Sequence, residues 1–382
     1  MYLRSMFAEN YRSLRAIRMD LGAIDLFVGA NGAGKSNLYR ALQLIKAAAE
    51  GRFGHALAAE GGIYSAMWSG GLPKHKKARI ALEAEIVDEQ TGIAYRYRIE
   101  AGFRPAQPAA GFSHEAQIKR EEMHIDTGRR PHCMMRREGG HIQVRDETGR
   151  MAEYPEKAMT SETALYMLGD AGRYPEISTL RHVIGQWRFY HGFRSDAGSP
   201  LRRPCLAITA PLLDEDGGNI AAVLATLAHT RQDTIELDRA VYDAFGGAAL
   251  VVPEPEDDAS FGLMIPEFPK RVFQPRELSD GQIRFLALAA ALMSYRRPRF
   301  IALNEPEASL HPDMLPALAG MIASASADCQ VWVVTHSQAL ADAISARCGV
   351  RAKTVIRRDG ATWIEGMTLT GRIDDAGEAE GS

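Results

Sequence analysis

Cysteine is scarce in this chain: four in 382 residues, at positions 133, 205, 329 and 348. None stands in a C-x-x-C pair or at zinc-ligand distance from a histidine partner. That excludes a disulfide framework and a zinc site, and leaves four reduced thiols in the core of a cytosolic protein as the expectation. A long apolar run is also missing. The longest, Phe285–Met293 (FLALAAALM), falls far short of the roughly 20 residues needed to cross a bilayer. The N-terminal stretch MYLRSMFAENYRSLRAIRM is broken by charges and does not read as a signal peptide, so a cytoplasmic chain without a membrane partner is expected. Neither sign of charge dominates: 45 Lys and Arg face 48 Asp and Glu, for a net charge of -3. This excludes a uniformly basic nucleic-acid coat but not a local basic patch. There is no sustained heptad pattern, which argues against a long coiled-coil arm, and no internal repeat. H-E-x-x-H, G-x-S-x-G and a Cys–His pairing are all absent. With 46% hydrophobic and 24% charged positions, the chain is ordinary globular material. Its length suits two or three domains, or one large domain carrying insertions.

What is present begins near the N-terminus. Ala23–Val28 (AIDLFV) is an apolar run of buried-strand type, followed at once by Gly29-Ala-Asn-Gly-Ala-Gly-Lys-Ser36. Leu38, Ala41, Leu42 and Ile45 then recur at helical spacing, with Gly51 as the stop. The eight residues fit G-x-x-x-x-G-K-[ST] in the strand–loop–helix context that the motif requires. Glycines let the backbone wrap a phosphate, and the helix N-terminus adds positive potential. Lys35 would reach the β- and γ-phosphates and the Ser36 hydroxyl would ligate Mg²⁺. The alternative is a Gly-rich turn that happens to end in Lys-Ser.

Three further segments lie near the C-terminus. Phe300–Leu303 (FIAL) reads as a buried strand ending in Asn304-Glu305-Pro306, and Glu305 suits an acceptor in line with a γ-phosphate. The less favoured alternative is a surface or capping glutamate at a strand end. Leu278-Ser-Asp-Gly-Gln282 precedes the apolar helix Phe285–Met293, so Ser279 reads as an N-cap beside amides that a phosphate would also suit. Val331–Val334 leads to Thr335-His336-Ser337, where His336 is either a γ-phosphate ligand or a structural histidine.

Between these ends the text changes character. Ala78–Val87, Ala94–Ile99 and His141–Val144 alternate apolar and polar residues, as antiparallel strands with one wet face do. From about Ser161 to Gly247 the pattern is helical, clearest at Asn219–Ala228 and Thr234–Phe245. Two places mix in basic residues. Arg129, Arg130, Arg136 and Arg137, with Lys119 and Arg120 nearby, are candidate phosphate contacts. Residues 115–151 nevertheless hold eight Lys/Arg against seven Asp/Glu, the balance of a solvated edge. Trp187–Arg203 interleaves aromatics with Arg188, Arg194, Arg202 and Arg203, which suits either a nucleic-acid or protein contact or a lid packing on its own domain.

Together, GANGAGKSN (29–37), LSDGQ (278–282), NEPEASLHP (304–312) and VTHS (334–337) stand in the order and spacing of ABC-class ATPases. The chain resembles the SMC/RecF/OLD-like group of AAA-type ATPases more closely than transporter subunits. The resemblance implies an α/β fold: an ABC-type P-loop NTPase head with an inserted antiparallel β-lobe and a helical region. Its parts would be 1–72 (head, P-loop half), 73–160 (β-rich insert), 161–270 (helical or lid region), 271–367 (head, second half) and 368–382 (acidic tail).

By the same resemblance, Gly29, Ala30, Asn31, Gly32, Ala33, Gly34, Lys35, Ser36 and Asn37 would bind nucleotide. Glu305 would be the catalytic carboxylate, His336 the switch histidine, and Lys35 would serve both binding and catalysis. Ser279, Asp280, Gly281 and Gln282 would reach ATP held by a second copy, so ATP and Mg²⁺ would join two heads into a homodimer. Ser36 would hold Mg²⁺, with Asn304 in its outer shell. Two departures stand out. The group's usual strand-terminal Asp is Asn304, which removes one negative charge and predicts weak Mg²⁺ affinity and slow hydrolysis. Gly61–Gly71, where a Gln-loop belongs, contains no glutamine. OLD-like members often carry a nuclease domain that 368–382 is too short to hold, so nuclease or toxin action is expected from another polypeptide. The implied function is an ATPase coupled to DNA in repair, chromosome maintenance or phage defence. The alternative is a slow ATP-gated switch for a separate effector protein; a transporter subunit comes third.

Overall fold

A computed structural model describes residues 1–71, 78–104, 112, 115–128, 130–231, 234–368 and 371. Arg129 and nearly all of the acidic 368–382 segment lie outside the described residues. The chain divides into two compact units: one of Met1–Gly22, Gly29–Trp187 and Thr354–Ser382, the other of Ala23–Val28 and Arg188–Lys353.

The first unit is built on an eight-stranded antiparallel sheet. Strand Tyr2–Tyr11 pairs on one side with Leu14–Asp20 and on the other with Arg79–Val87. The sheet then continues through Ala94–Gly102, Gln117–Asp126, His132–Glu138, His141–Arg145 and Met151–Glu153. The expected alternating strands are therefore present, and the two N-terminal strands join their sheet. Ile80, Leu82, Ala84 and Ile86 are buried on one face. On the other face charges are matched across strands and, for Arg98–Glu100 and Arg120–Glu122, along one strand. Glu83 meets Arg18 and Arg98, Glu100 meets Arg79 and Arg98, Glu85 meets Arg4 and Arg96, and Glu122 meets Arg120 and Arg136, all within 3.3 Å. Such cross-strand pairs favour one register over a slipped one.

In the same unit, helix Lys35–Ala49 buries Leu38, Ala41, Leu42 and Ile45 and gives way at Glu50 to Gly51, whose φ of +73° ends the helix. A terminal hairpin of strands Lys353–Arg358 and Ala361–Ile364 completes it.

The second unit holds four parallel strands in the order Arg188–His191, Phe300–Asn304, Gln330–Thr335, Ile24–Val28. Helices Asp280–Met293, Leu315–Ala325 and Gln338–Cys348 bury leucine, isoleucine and alanine into one core with Leu26, Ile301, Leu303 and Val333. Strands buried this thoroughly read as continuous apolar runs, which is why three of them are visible in the sequence. The fourth is not. Arg188–His191 sits in the segment expected to be a lid or contact surface, and is instead the edge strand beside Phe300–Asn304, with Phe189 and Tyr190 buried. Four residues are too few to show a period. Of the cysteines only Cys329 is buried, while Cys133, Cys205 and Cys348 are half-buried, and all four are free thiols. No helix among the described residues is long and apolar enough to cross a membrane.

Candidate functional site

In the first unit the Gly-rich loop runs from Gly29 into the helix that Lys35 opens. Gly34 stands at the N-cap with φ +98°, a left-handed backbone that favours glycine. A Cβ here would collide with the hydroxyls of Thr362 and Ser13. Those two hydroxyls lie 2.5 Å apart, and Asn37 Nδ2 donates to Ser13 Oγ at 2.7 Å, so the loop is backed by a small polar network. A Cβ on Gly29 would strike the carbonyl oxygen of Val355. The loop is thus held at both ends by the terminal hairpin. No side chain caps the helix and no acidic residue occupies its first turn, the condition under which first-turn amides suit an anion. Lys35 is buried, and its Nζ donates to the carbonyls of Gly29 at 2.6 Å and Ala30 at 3.0 Å.

In the second unit the parallel strands end level with one another: His191 pairs with Asn304, Asn304 with Val334, and Thr335 with Val28. Glu305 follows with φ +51°, its amide donating to the Val334 carbonyl at 2.7 Å. A left-handed backbone at a non-glycine residue costs about 1 kcal/mol or more and is kept where the surroundings impose it.

Glu307, which the sequence left without a role, organises the next loop. Its Oε1 accepts from Thr335 Oγ1 at 2.6 Å, His336 N at 3.0 Å and Ser337 N at 3.2 Å, and lies 3.1 Å from His336 Nδ1. The His336 ring is exposed while its anchor is buried.

The LSDGQ segment is a capping box: Ser279 Oγ accepts from Gln282 N and Gln282 Oε1 accepts from Ser279 N. The reading of Ser279 as an N-cap is borne out, and its hydroxyl retains a proton to donate. Arg202 fixes this segment, donating to the carbonyls of Pro275 and Leu278 at 2.8 and 2.7 Å and pairing with Asp280 at 2.8 Å. The Arg-rich stretch therefore serves its own unit at this position. Gly281 packs against the Ser309 carbonyl, leaving no room for a side chain.

Two buried oxygens of this unit, Asn304 Oδ1 and Glu307 Oε2, have no hydrogen-bond partner among the described residues. A buried acceptor without a donor costs about 1–3 kcal/mol. The Asn304 oxygen fits an outer-shell role, since the water shell of a hard cation supplies donors. Sequence reasoning missed His191, whose Nδ1 lies 2.6 Å from Asn304 Nδ2. No local signal could have found it, because the two residues are far apart in the chain.

The basic cluster has another explanation. Arg137 is wholly buried, 3.7 Å from Glu121, and donates to the Gly139, Met159 and Glu162 carbonyls. Arg120 and Arg136 share Glu122.

Comparison with known proteins adds the following. Residues 26–342 match the family model described as "AAA domain, putative AbiEii toxin, Type IV TA system". No curated protein matches the chain. Among solved structures, an SMC head bound to the C-winged helix domain of ScpA aligns at 15% identity and TM-score 0.55, covering 95% of this chain and 97% of that one. An SMC head with an extended coiled coil, bound to the C-terminal domain of ScpA and derived from Pyrococcus furiosus, aligns at 14% identity and TM-score 0.52, covering 95% of each chain. Likeness at these identities is a likeness of fold.

Proposed function

The chain belongs to this AAA-domain family and has the SMC-head, ABC-type P-loop fold, and on that premise we propose that it is an Mg²⁺-dependent ATPase that closes into a homodimer around ATP. The observation that carries the proposal is the end of strand Phe300–Asn304. There Glu305 is held in a left-handed backbone, and Glu307 grips the loop that bears His336.

In this reading residues 29–37 wrap the phosphates, and Lys35 exchanges the Gly29 and Ala30 carbonyls for phosphate oxygens. Ser36 would hold Mg²⁺ and Asn304 would accept from its water shell, and the cation would supply neutralisation of charge developing on the phosphate oxygens. Glu305 accepts a proton from the attacking water, and His336, its Nδ1 tied to Glu307, offers Nε2 toward the γ-phosphate. Ser279, Asp280, Gly281 and Gln282 form the face that meets nucleotide on the second copy. The head would be assembled from 1–72 and 271–367, around the β-rich and helical segments between them.

The same site in a slower form supports a second reading, an ATP-gated switch for a separate effector. Asn304 favours it by removing a negative charge beside the cation. The family's description names a putative toxin of a type IV system; DNA repair, chromosome maintenance and phage defence are the settings we propose for the activity. Duplex DNA remains a candidate partner. The arginines at 120, 136 and 137 already have acidic or carbonyl partners, so a DNA contact would use other groups.

The test is ATP turnover and dimer mass for the wild-type protein and Glu305→Gln, with and without duplex DNA. Mg²⁺-dependent turnover falling by about 10²–10⁴-fold on substitution is expected, with the ATP-bound dimer retained. Turnover indifferent to Glu305 would overturn the assignment. A stable ATP dimer with negligible turnover in every condition would select the switch.

A further inference from the structure

An amide and a carboxylate are not equivalent at the end of this strand. An aspartate offers two like oxygens and accepts from either side, whereas an asparagine offers one acceptor and one pair of donors and must be held the right way round. Asn304 is almost fully buried, at 3% exposure. Strand pairing places His191 opposite it, and Asn304 Nδ2 lies 2.6 Å from His191 Nδ1. An amide nitrogen can only donate, so Nδ1 is the acceptor in this contact. Turning the amide over would bring Oδ1 against that lone pair and send two N–H donors where the oxygen now lies. The contact with His191 therefore decides which end of Asn304 is offered to a ligand. The end offered is Oδ1, buried and without a partner among the described residues.

We propose that His191 is a positioning residue that fixes the Asn304 amide so that Oδ1 accepts from the water shell of an ATP-bound Mg²⁺. The inference rests on the ATPase reading above. It explains how a site with asparagine in place of aspartate keeps an acceptor facing the cation: the orientation that a carboxylate has by symmetry is supplied by a neighbouring imidazole. The role proposed for His191 is exerted through Asn304, without contact to nucleotide or cation.

A double-mutant cycle tests it. The wild-type protein, His191→Ala, Asn304→Asp and the double variant are titrated with Mg²⁺ in the presence of a fluorescent ATP analogue, and nucleotide affinity is measured separately in EDTA. With Asn304 in place, His191→Ala should raise the half-saturating Mg²⁺ concentration about 10-fold, the lower end for loss of a residue that orients a metal ligand. Made on top of Asn304→Asp, the same substitution should change it less than about 2-fold, since a carboxylate needs no orienting. Affinity in EDTA should stay level across the four proteins, which separates loss of the cation contact from any loss of stability on removing the partner of a buried amide. His191→Gln, which keeps an acceptor within reach, should recover part of the loss. An equal rise in both backgrounds, or no rise in either, would overturn the inference while leaving the ATPase reading intact. Wild-type protein whose nucleotide binding ignores Mg²⁺ would overturn both.

Discussion

Two buried polar clusters, one in each unit, differ in how completely they are satisfied. In the antiparallel sheet, Glu121 accepts from the Tyr97 hydroxyl and from the Leu165 amide through Oε1, and from the Ala164 amide through Oε2. Arg137 lies 3.7 Å from it and spends its remaining donors on three carbonyls. At the strand ends of the second unit, Glu307 uses one oxygen fully and leaves the other without a donor among the described residues, and Asn304 Oδ1 is likewise unpartnered. The first arrangement is closed and its work is structural. The second retains acceptors that a ligand would satisfy. Each holds a buried glutamate; the difference drawn between them lies in the unspent hydrogen-bonding capacity, which is what points to a site.

The comparison breaks first at Arg137. Arg137→Met leaves Glu121 buried beside an apolar side chain, and about 3–5 kcal/mol of stability should go, read from urea unfolding at neutral pH. Burial already pushes the Glu121 carboxyl up, against the pull of Arg137 and the two amides, so the variant should push it further in the same direction. A loss below about 1 kcal/mol would mean that the closed cluster is not what holds this region.

Glu307→Ala sharpens the other side. It removes the acceptor for Thr335 and for the amides of His336 and Ser337, at a cost of about 1–3 kcal/mol. If the cluster is functional, ATP turnover should fall well beyond what lost stability explains, while nucleotide affinity moves by less than about 3-fold. Proportional loss of both would mark Glu307 as a second structural carboxylate.

The smallest effect belongs to the ion pairs between the buried Glu85 and its half-exposed arginine partners. Burial raises the Glu85 carboxyl, but hydrogen bonds from Arg4 and Arg96 outweigh it and hold the group below its ordinary 4.5. A depressed folded-state value means that the stabilisation is present above about pH 4.5 and is lost as pH falls through the folded value. Arg96→Gln should therefore cost less than about 1 kcal/mol at pH 7 and shrink the further loss between about pH 5 and pH 3. Urea midpoints across that range would show it, and an unchanged acid slope would sink the claim.

How much of this was legible varies with the distance along the chain. The phosphate loop could be read because one contiguous string, Gly29–Ser36, supplies the turn, the amides and the cation. The return contact from Gln282 came from the structure, but the N-cap at Ser279 could be read for the same reason. Strand Arg188–His191 could not, because its place is fixed only by pairing with Phe300–Asn304, a strand far along the chain. Arg137 was misleading. In sequence it belongs to a basic cluster, yet folding turns it inward to Glu121 while its neighbour Arg136 faces outward to Glu122.

By itself, then, the sequence determined the α/β class, the Gly-rich strand–loop–helix that ends in Lys35 and Ser36, and the order of segments that places the chain among ABC-type heads. These depend on local periodicity and on residue types at fixed short spacing. Tertiary structure alone decided that His191 meets Asn304, that Glu307 grips residues 335–337, and that Ser13, Asn37 and Thr362 back the loop. Each of those contacts depends on sheet register or on close approach of distant segments, and neither leaves a periodic trace in the residues that make it.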